Sequence, residues 1–102
     1  MKLQQLKYAI EIVMCGSINE AARRLYISQP SLSKAVKELE KEIGITIFTR
    51  TSTGITLSSD GAEFLGYARQ VVEQAELLER RYFNTAPSQQ LLSISTSIMR
   101  LQ

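Results

Sequence analysis

A chain of 102 residues that is 44% apolar and 22% charged has room for one small core plus an appendage, and its composition is that of an ordinary globular protein. The net charge of +2 is unevenly divided: residues 1–58 carry eight Lys and Arg against five Asp and Glu, a balance of +3, and residues 59–102 carry four against five, a balance of −1. With no His and with Cys15 as the single cysteine, an intramolecular disulfide is excluded and a His/Cys metal site has no ligand set.

Leu3, Leu6, Ile10 and Val13 step by three and four, which predicts an amphipathic helix over roughly residues 3–14, ended by Gly16. Cys15, at the end of that helix, is expected to be a small buried or half-buried side chain. Ser17 followed by Glu20 has the capping-box spacing and opens a second helix, roughly 18–25. Its Ala21 and Ala22 have little bulk, so it can lie close against a neighbour. Tyr26 and Ile27 then bridge to the stretch that organises the chain, Ser28–Gly44. There Ser28 is an N-cap, Pro30 falls in the first turn where its missing N–H costs little, and Gly44 can take the left-handed conformation that stops a helix. Leu32, Val36, Leu39 and Ile43 form one apolar stripe. Lys34, Lys37 and Lys41 cluster on the opposite side, with Gln29, Ser31 and Ser33 nearer the N-terminal end. Two short helices joined by a few residues, the second capped by Ser, make a helix-turn-helix pattern.

After Gly44 the run Ile45–Phe48 predicts a short strand, residues 49–54 a turn, and Ile55–Leu57 a returning strand, together a β-hairpin wing over 45–57. Ser58 or Ser59 then caps a long helix over about 60–83. Phe64, Ala68, Val71, Ala75, Leu78 and Tyr82 follow at spacings of 4, 3, 4, 3 and 4, a heptad seam that Leu65 and Val72 widen. A helix of that length spans about 36 Å, too long to bury the whole seam on so small a domain. The seam predicts a symmetric dimer, and a helix folded back on its own core is the competing possibility. Residues 84–90, interrupted at Pro87, have linker composition. Leu92, Ile94, Thr96 and Ile98 alternate with serines, a strand signal with no local partner and so the expected first strand of a further domain.

These residues together resemble the N-terminal part of a LysR-type transcriptional regulator. The pattern is carried by Gly16-Ser17, Ala21-Ala22, Leu25, the run Ser28-Gln29-Pro30-Ser31-Leu32-Ser33, Leu39-Glu40, Ile43-Gly44, Ile47-Phe48, Arg50, Leu57-Ser58 and Gly61. The resemblance implies a mainly α fold, a winged helix-turn-helix of three helices plus a hairpin wing over residues 1–58. A linker and dimerisation helix over 59–83 would follow, then a hinge and first strand of an effector-binding domain over 84–102. It implies sequence-specific binding of double-stranded DNA, with recognition helix 29–42 in the major groove and the wing on the backbone or minor groove. Gln29, Pro30, Ser31, Ser33, Lys34 and Lys37 occupy the family's DNA-facing positions, with Arg50 and Thr53 in the wing. Physical chemistry agrees: Lys and Arg neutralise phosphate, while Gln and Ser reach base edges. The chain departs from the family at Ala9, where an aromatic is usual and where Tyr8 or Met14 is expected to fill the space. It departs again at Thr53, where an Arg is common, so the wing loses a cation.

The resemblance also implies a homodimer through the linker helix, or a tetramer in the full-length regulator, with a small-molecule effector bound only by the absent C-terminal domain. The alternative function is a helical protein-interaction module that uses the 60–83 seam and keeps the winged helix as scaffold; it has no need of the Lys34/Lys37/Lys41 face. No nucleophile–base pair, metal cluster or phosphate loop points to an enzyme, and no cofactor is expected. Neither a signal peptide nor an apolar run long enough to cross a bilayer is present, and the lone cysteine suits a reducing compartment, so a cytoplasmic location is expected.

Overall fold

Capping residues set the helix boundaries. The computed structural model describes residues 1–83; the expected linker at 84–90 and strand at 92–98 lie outside the described residues. Helix α1 runs Leu3–Cys15 and closes on Gly16, whose φ of 73° is left-handed and whose N–H bonds to the Ile12 carbonyl at 2.8 Å. Helix α2, Ile18–Leu25, begins on the Ser17 hydroxyl, which accepts the Glu20 N–H at 3.2 Å. The Glu20 carboxylate itself is engaged by Arg23 at 2.9 Å and Arg24 at 3.6 Å. Helix α3, Gln29–Ile43, begins on Ser28, which accepts the Ser31 N–H at 3.2 Å, and ends at Gly44 with φ of 80°.

The first strand of the wing begins three residues later than the run Ile45–Phe48 suggests. Strand β1 is Phe48–Thr51 and β2 is Gly54–Leu57, paired antiparallel with Phe48 opposite Leu57 and Thr51 opposite Gly54. Residues 49–51, expected in the turn, are therefore in the ladder. Ile47 is fully buried, and its amide bonds to a side chain rather than to a strand. The apolar spacing of Ile45–Phe48 thus records burial of a connecting segment, and the hairpin itself is mostly polar because it is two-stranded and exposed.

Helix α4, Ser59–Tyr82, is capped by Ser58, whose Oγ accepts the Gly61 N–H at 2.8 Å and donates to the Thr46 carbonyl. The Ser58 N–H also bonds to the Ile47 carbonyl at 3.0 Å. Gly61 lies against the same residue: a Cβ there would stand 2.6 Å from the Ile47 oxygen. Only glycine allows this approach without moving backbone.

The chain divides into two compact units after Val72. In the unit Met1–Val72, one buried cluster comprises Leu6, Ala9, Leu39, Ile47, Leu65, Ala68 and Val72, and a second comprises Ile12, Ala21, Ala22, Leu32 and Val36. Helix α1 contributes to both, and Phe48 packs against both. Its most buried face is Leu6, Ala9 and Ile12, with Leu3, Ile10 and Val13 half-buried on the flank, because α1 has neighbours on two sides. Ala9 is completely enclosed; Tyr8 packs on the second cluster, whereas Met14 is exposed and fills nothing. In the second unit the described residues continue α4, with Leu77, Leu78, Tyr82 and Phe83 exposed and the Arg81 guanidinium 5.7 Å from the Tyr82 ring centre.

Candidate nucleic-acid interface

Helix α3 presents the expected polar residues. Pro30, Ser31, Lys34, Lys37 and Lys41 are exposed, and Gln29 and Ser33 are half-buried, while Leu32, Val36 and Leu39 face inward. Ser31 and Ser28 are joined through their hydroxyls at 2.9 Å, so the first turn of α3 is fixed by both a side chain–backbone and a side chain–side chain bond.

The hairpin is joined to this face by one cation. Arg50, on β1 opposite Ile55, donates from Nη2 to the Ser33 hydroxyl at 3.1 Å. The guanidinium is thus held at α3 and not at the tip of the wing. Thr53 is at the tip, exposed, its hydroxyl 3.3 Å from that of Thr51. Between hairpin and helices lies a notch of about 160 Å³ whose lining includes Ser17, Asn19, Gln29, Arg50 and Gly54. Gly54 has φ of 143°, and a Cβ there would sit 3.1 Å from the Gly16 carbonyl. The wing can approach the end of α1 this closely because position 54 has no side chain.

Three features escape a reading by residue type. Glu40 lies on the flank of α3, and its Oε2 accepts the backbone N–H groups of Ile47 at 2.7 Å and Phe48 at 3.1 Å, fixing the root of the wing to the helix. Ser17 and Asn19 border the notch although they belong to α2 and its cap. Tyr26 closes α2 in the left-handed conformation, φ 59° and ψ 41°, where glycine or asparagine would be the usual signal.

The residues expected at a dimer seam are placed unevenly. Ala68 is buried in the first unit's own core, as are Leu65 and Val72, so these three are covered without a partner. The reason is rotational: Gly61, Leu65, Ala68 and Val72 form the core-facing stripe of α4. Phe64 is half-buried against that core, and Val71 is 49% exposed. Ala75 is half-buried, while Leu78 and Tyr82 are exposed.

Cys15 is half-buried and donates to Glu11 Oε2 at 3.4 Å. Desolvation raises its thiol pKa above the ordinary value, the Glu11 hydrogen bond adds to this, and the Arg24 cation opposes it. The protonated form of a thiol is a poor nucleophile, so this is not an activated cysteine. Among the described residues no group of three or more His, Cys, Asp and Glu could hold a metal ion, and no helix is long and apolar enough to cross a membrane.

Residues 3–62 match the sequence model of the family described as bacterial regulatory helix-turn-helix protein, lysR family. The chain is 38% identical over 81 residues to the HTH-type transcriptional regulator TfdT of Cupriavidus pinatubonensis (strain JMP 134 / LMG 1197), covering 79% of this chain and 36% of that protein. It is 39% identical over 77 residues to the HTH-type transcriptional regulator ClcR of Pseudomonas putida, covering 76% of this chain and 26% of that protein. The chain therefore spans about a third or less of the length of these relatives. Among solved structures, the CbnR_DBD–DNA complex superposes with a TM-score of 0.75 at 36% identity, covering 79% of this chain and 93% of that one. The BenM_DBD/catB site 1 DNA complex superposes with a TM-score of 0.73 at 32% identity, covering 76% and 84% respectively.

Proposed function

The chain belongs to the LysR family of bacterial regulatory helix-turn-helix proteins, and we propose that it binds double-stranded DNA sequence-specifically as a homodimer. Helix α3 enters the major groove, and the hairpin lies on the backbone or in the minor groove. Arg50 carries this proposal: its bond to Ser33 joins the wing's cation to the polar end of α3, so a single surface offers amide, hydroxyl, ammonium and guanidinium donors. An amide such as Gln29 pairs with a base edge, whereas Lys34, Lys37 and Arg50 supply the charge that neutralises phosphate. Two solved neighbours of this fold are DNA complexes, of CbnR and of BenM.

The dimer uses the outward face of α4, with Val71, Leu78 and Tyr82 as its exposed apolar members and Phe64 and Ala75 beside them. Two such helices pairing would return these side chains to an apolar environment. In a longer regulator of the family's layout, a C-terminal domain would bind the small-molecule effector and could extend the dimer to a tetramer. The protein acts in the cytoplasm as a binding module and not as a catalyst.

Selection of bound duplexes from a random pool tests the reading directly. The expected result is a recurring site with two half-sites, bound with an affinity that falls steeply as salt rises. Retention that does not depend on salt, or no enrichment of any site, refutes it.

A further inference from the structure

Tyr26 is a large side chain at a position where the fold asks only for a backbone conformation. The turn from α2 into α3 needs a left-handed residue here: the Tyr26 N–H bonds to the Arg23 carbonyl at 3.2 Å, and the Ile27 N–H bonds to the Ala22 carbonyl at 3.1 Å. These bonds close α2 and deliver Ser28 to its capping position. They make demands on the backbone at residue 26 and none on its side chain. Glycine or asparagine adopts that conformation at low cost, and a Cβ-bearing aromatic residue does so at a penalty. The penalty is usually offset by packing, but the Tyr26 residue is 93% exposed. Among the described residues it is the only non-glycine with positive φ. A lone aromatic on a surface needs no explanation by itself. One set on a strained backbone without burial does.

Its place in the fold supplies the explanation. Tyr26 stands two residues before the cap of α3 and three before Gln29, at the end of the recognition helix that leads into the groove. The last turn of α2, which Tyr26 closes, carries Arg23 and Arg24, and the carboxylate they pair with is Glu20 of the same helix. A phenol is a neutral hydrogen-bond donor of a kind that contacts phosphate oxygens at the edges of grooves.

We propose that Tyr26 is a DNA-backbone contact, its phenolic hydroxyl donating to a phosphate oxygen beside the groove that receives α3. This rests on the DNA-binding function proposed above. The contact positions the protein without reading sequence. Because tyrosine carries no charge, it also adds affinity without displacing a counterion.

Those two properties set the test. The full chain and its Tyr26→Phe and Tyr26→Asn variants are titrated against a duplex recovered from random selection and against a scrambled duplex, at several salt concentrations. Both variants are expected to bind about three- to tenfold more weakly per protomer, equally on the two duplexes, with the salt slope unchanged. Tyr26→Asn is also expected to melt at or above the wild-type temperature, since it relaxes the turn. Wild-type affinity in Tyr26→Phe overturns the contact, and would direct attention to a protein partner for the ring. A loss in Tyr26→Phe confined to the selected duplex overturns it as well, because that is the behaviour of a base-reading residue. If the wild-type chain shows no salt-dependent binding at all, the DNA-binding function fails and takes this contact with it.

Discussion

Glu40 Oε2 accepts the backbone N–H of Ile47 at 2.7 Å, a bond that ties the inner flank of α3 to the root of the wing. The same oxygen accepts from Phe48, so one carboxylate satisfies two amides at a point where no strand yet does. Removing it leaves two partly buried donors without their acceptor. Glu40→Ala is expected to cost about 2 kcal/mol, and Glu40→Gln about half of that, since an amide oxygen still accepts but without charge. Urea unfolding of the three proteins checks the order; equal stability of wild type and Glu40→Ala contradicts it.

Along α3, reading and holding are expected to fall to different residues. Gln29 can form a bidentate pair with adenine that discriminates by roughly 1–3 kcal/mol. Gln29→Ala is therefore expected to weaken a selected site more than a scrambled duplex. Lys37→Ala should weaken both alike and lower the salt slope by about one per protomer. Lys34, exposed beside Ser33, is expected to behave like Gln29, through guanine. Titrations against both duplexes at two salt concentrations separate the classes. Equal losses for Gln29→Ala would show that sequence is read elsewhere.

At the tip of the wing, Thr53 is exposed and uncharged while Arg50 is held back at Ser33. Thr53→Arg is expected to tighten binding to any duplex and to steepen the salt slope by up to about one unit per protomer. An unchanged slope means that the tip does not approach DNA.

Val71 is 49% exposed on α4 while its neighbour Val72 is buried, so a charge at 71 can be borne by the folded unit but not by a helix pair. Val71→Glu is expected to cost a few kcal/mol on association, about 3 per buried carboxylate. Sedimentation at micromolar concentration should then give a monomer with unchanged helical content. A variant that remains dimeric assigns the interface to other residues.

The raised pKa of Cys15 has a defined pH signature. Since the folded state holds the thiol proton more firmly than the unfolded chain, the resulting stabilisation is complete below the thiol's ordinary range and is lost as pH rises through the folded-state pKa. Alkylation of the native protein at neutral pH should accordingly be slower than in the urea-unfolded chain and should recover only in alkali. Native and unfolded rates that coincide at neutral pH would contradict the desolvated, Glu11-bonded thiol.

What could be read from sequence was what is local. Ser17, Ser28, Gly16 and Gly44 mark helix ends by their own chemistry, and the structure uses each of them so. Tyr26 carries no such mark, because the turn imposes its conformation from outside. On α4 the stripe through Phe64 and Val71 and the stripe through Leu65 and Val72 have the same period and are one residue apart. Periodicity cannot say which faces the core; packing against α1 and Ile47 does. Ile47 likewise looked like a strand residue because alternation records burial as readily as pairing. Of the candidate site, the exposed lysines and the serines of α3 were evident from helical geometry. The bonds from Arg50 to Ser33 and from Glu40 to the wing root join distant parts of the chain, and no spacing announces them.

Ile47 gives its amide to Glu40, receives Ser58 at its carbonyl, buries its side chain, and carries Gly61 against its backbone. No group on that residue is left over. The consequence concerns cooperativity: the wing root cannot fray by itself, because releasing it also releases the end of α3 and the start of α4. Partial opening of the hairpin is therefore expected to begin at Ser52 and Thr53 and to stop at Phe48, with opening beyond that point coupled to the Glu40 and Gly61 contacts.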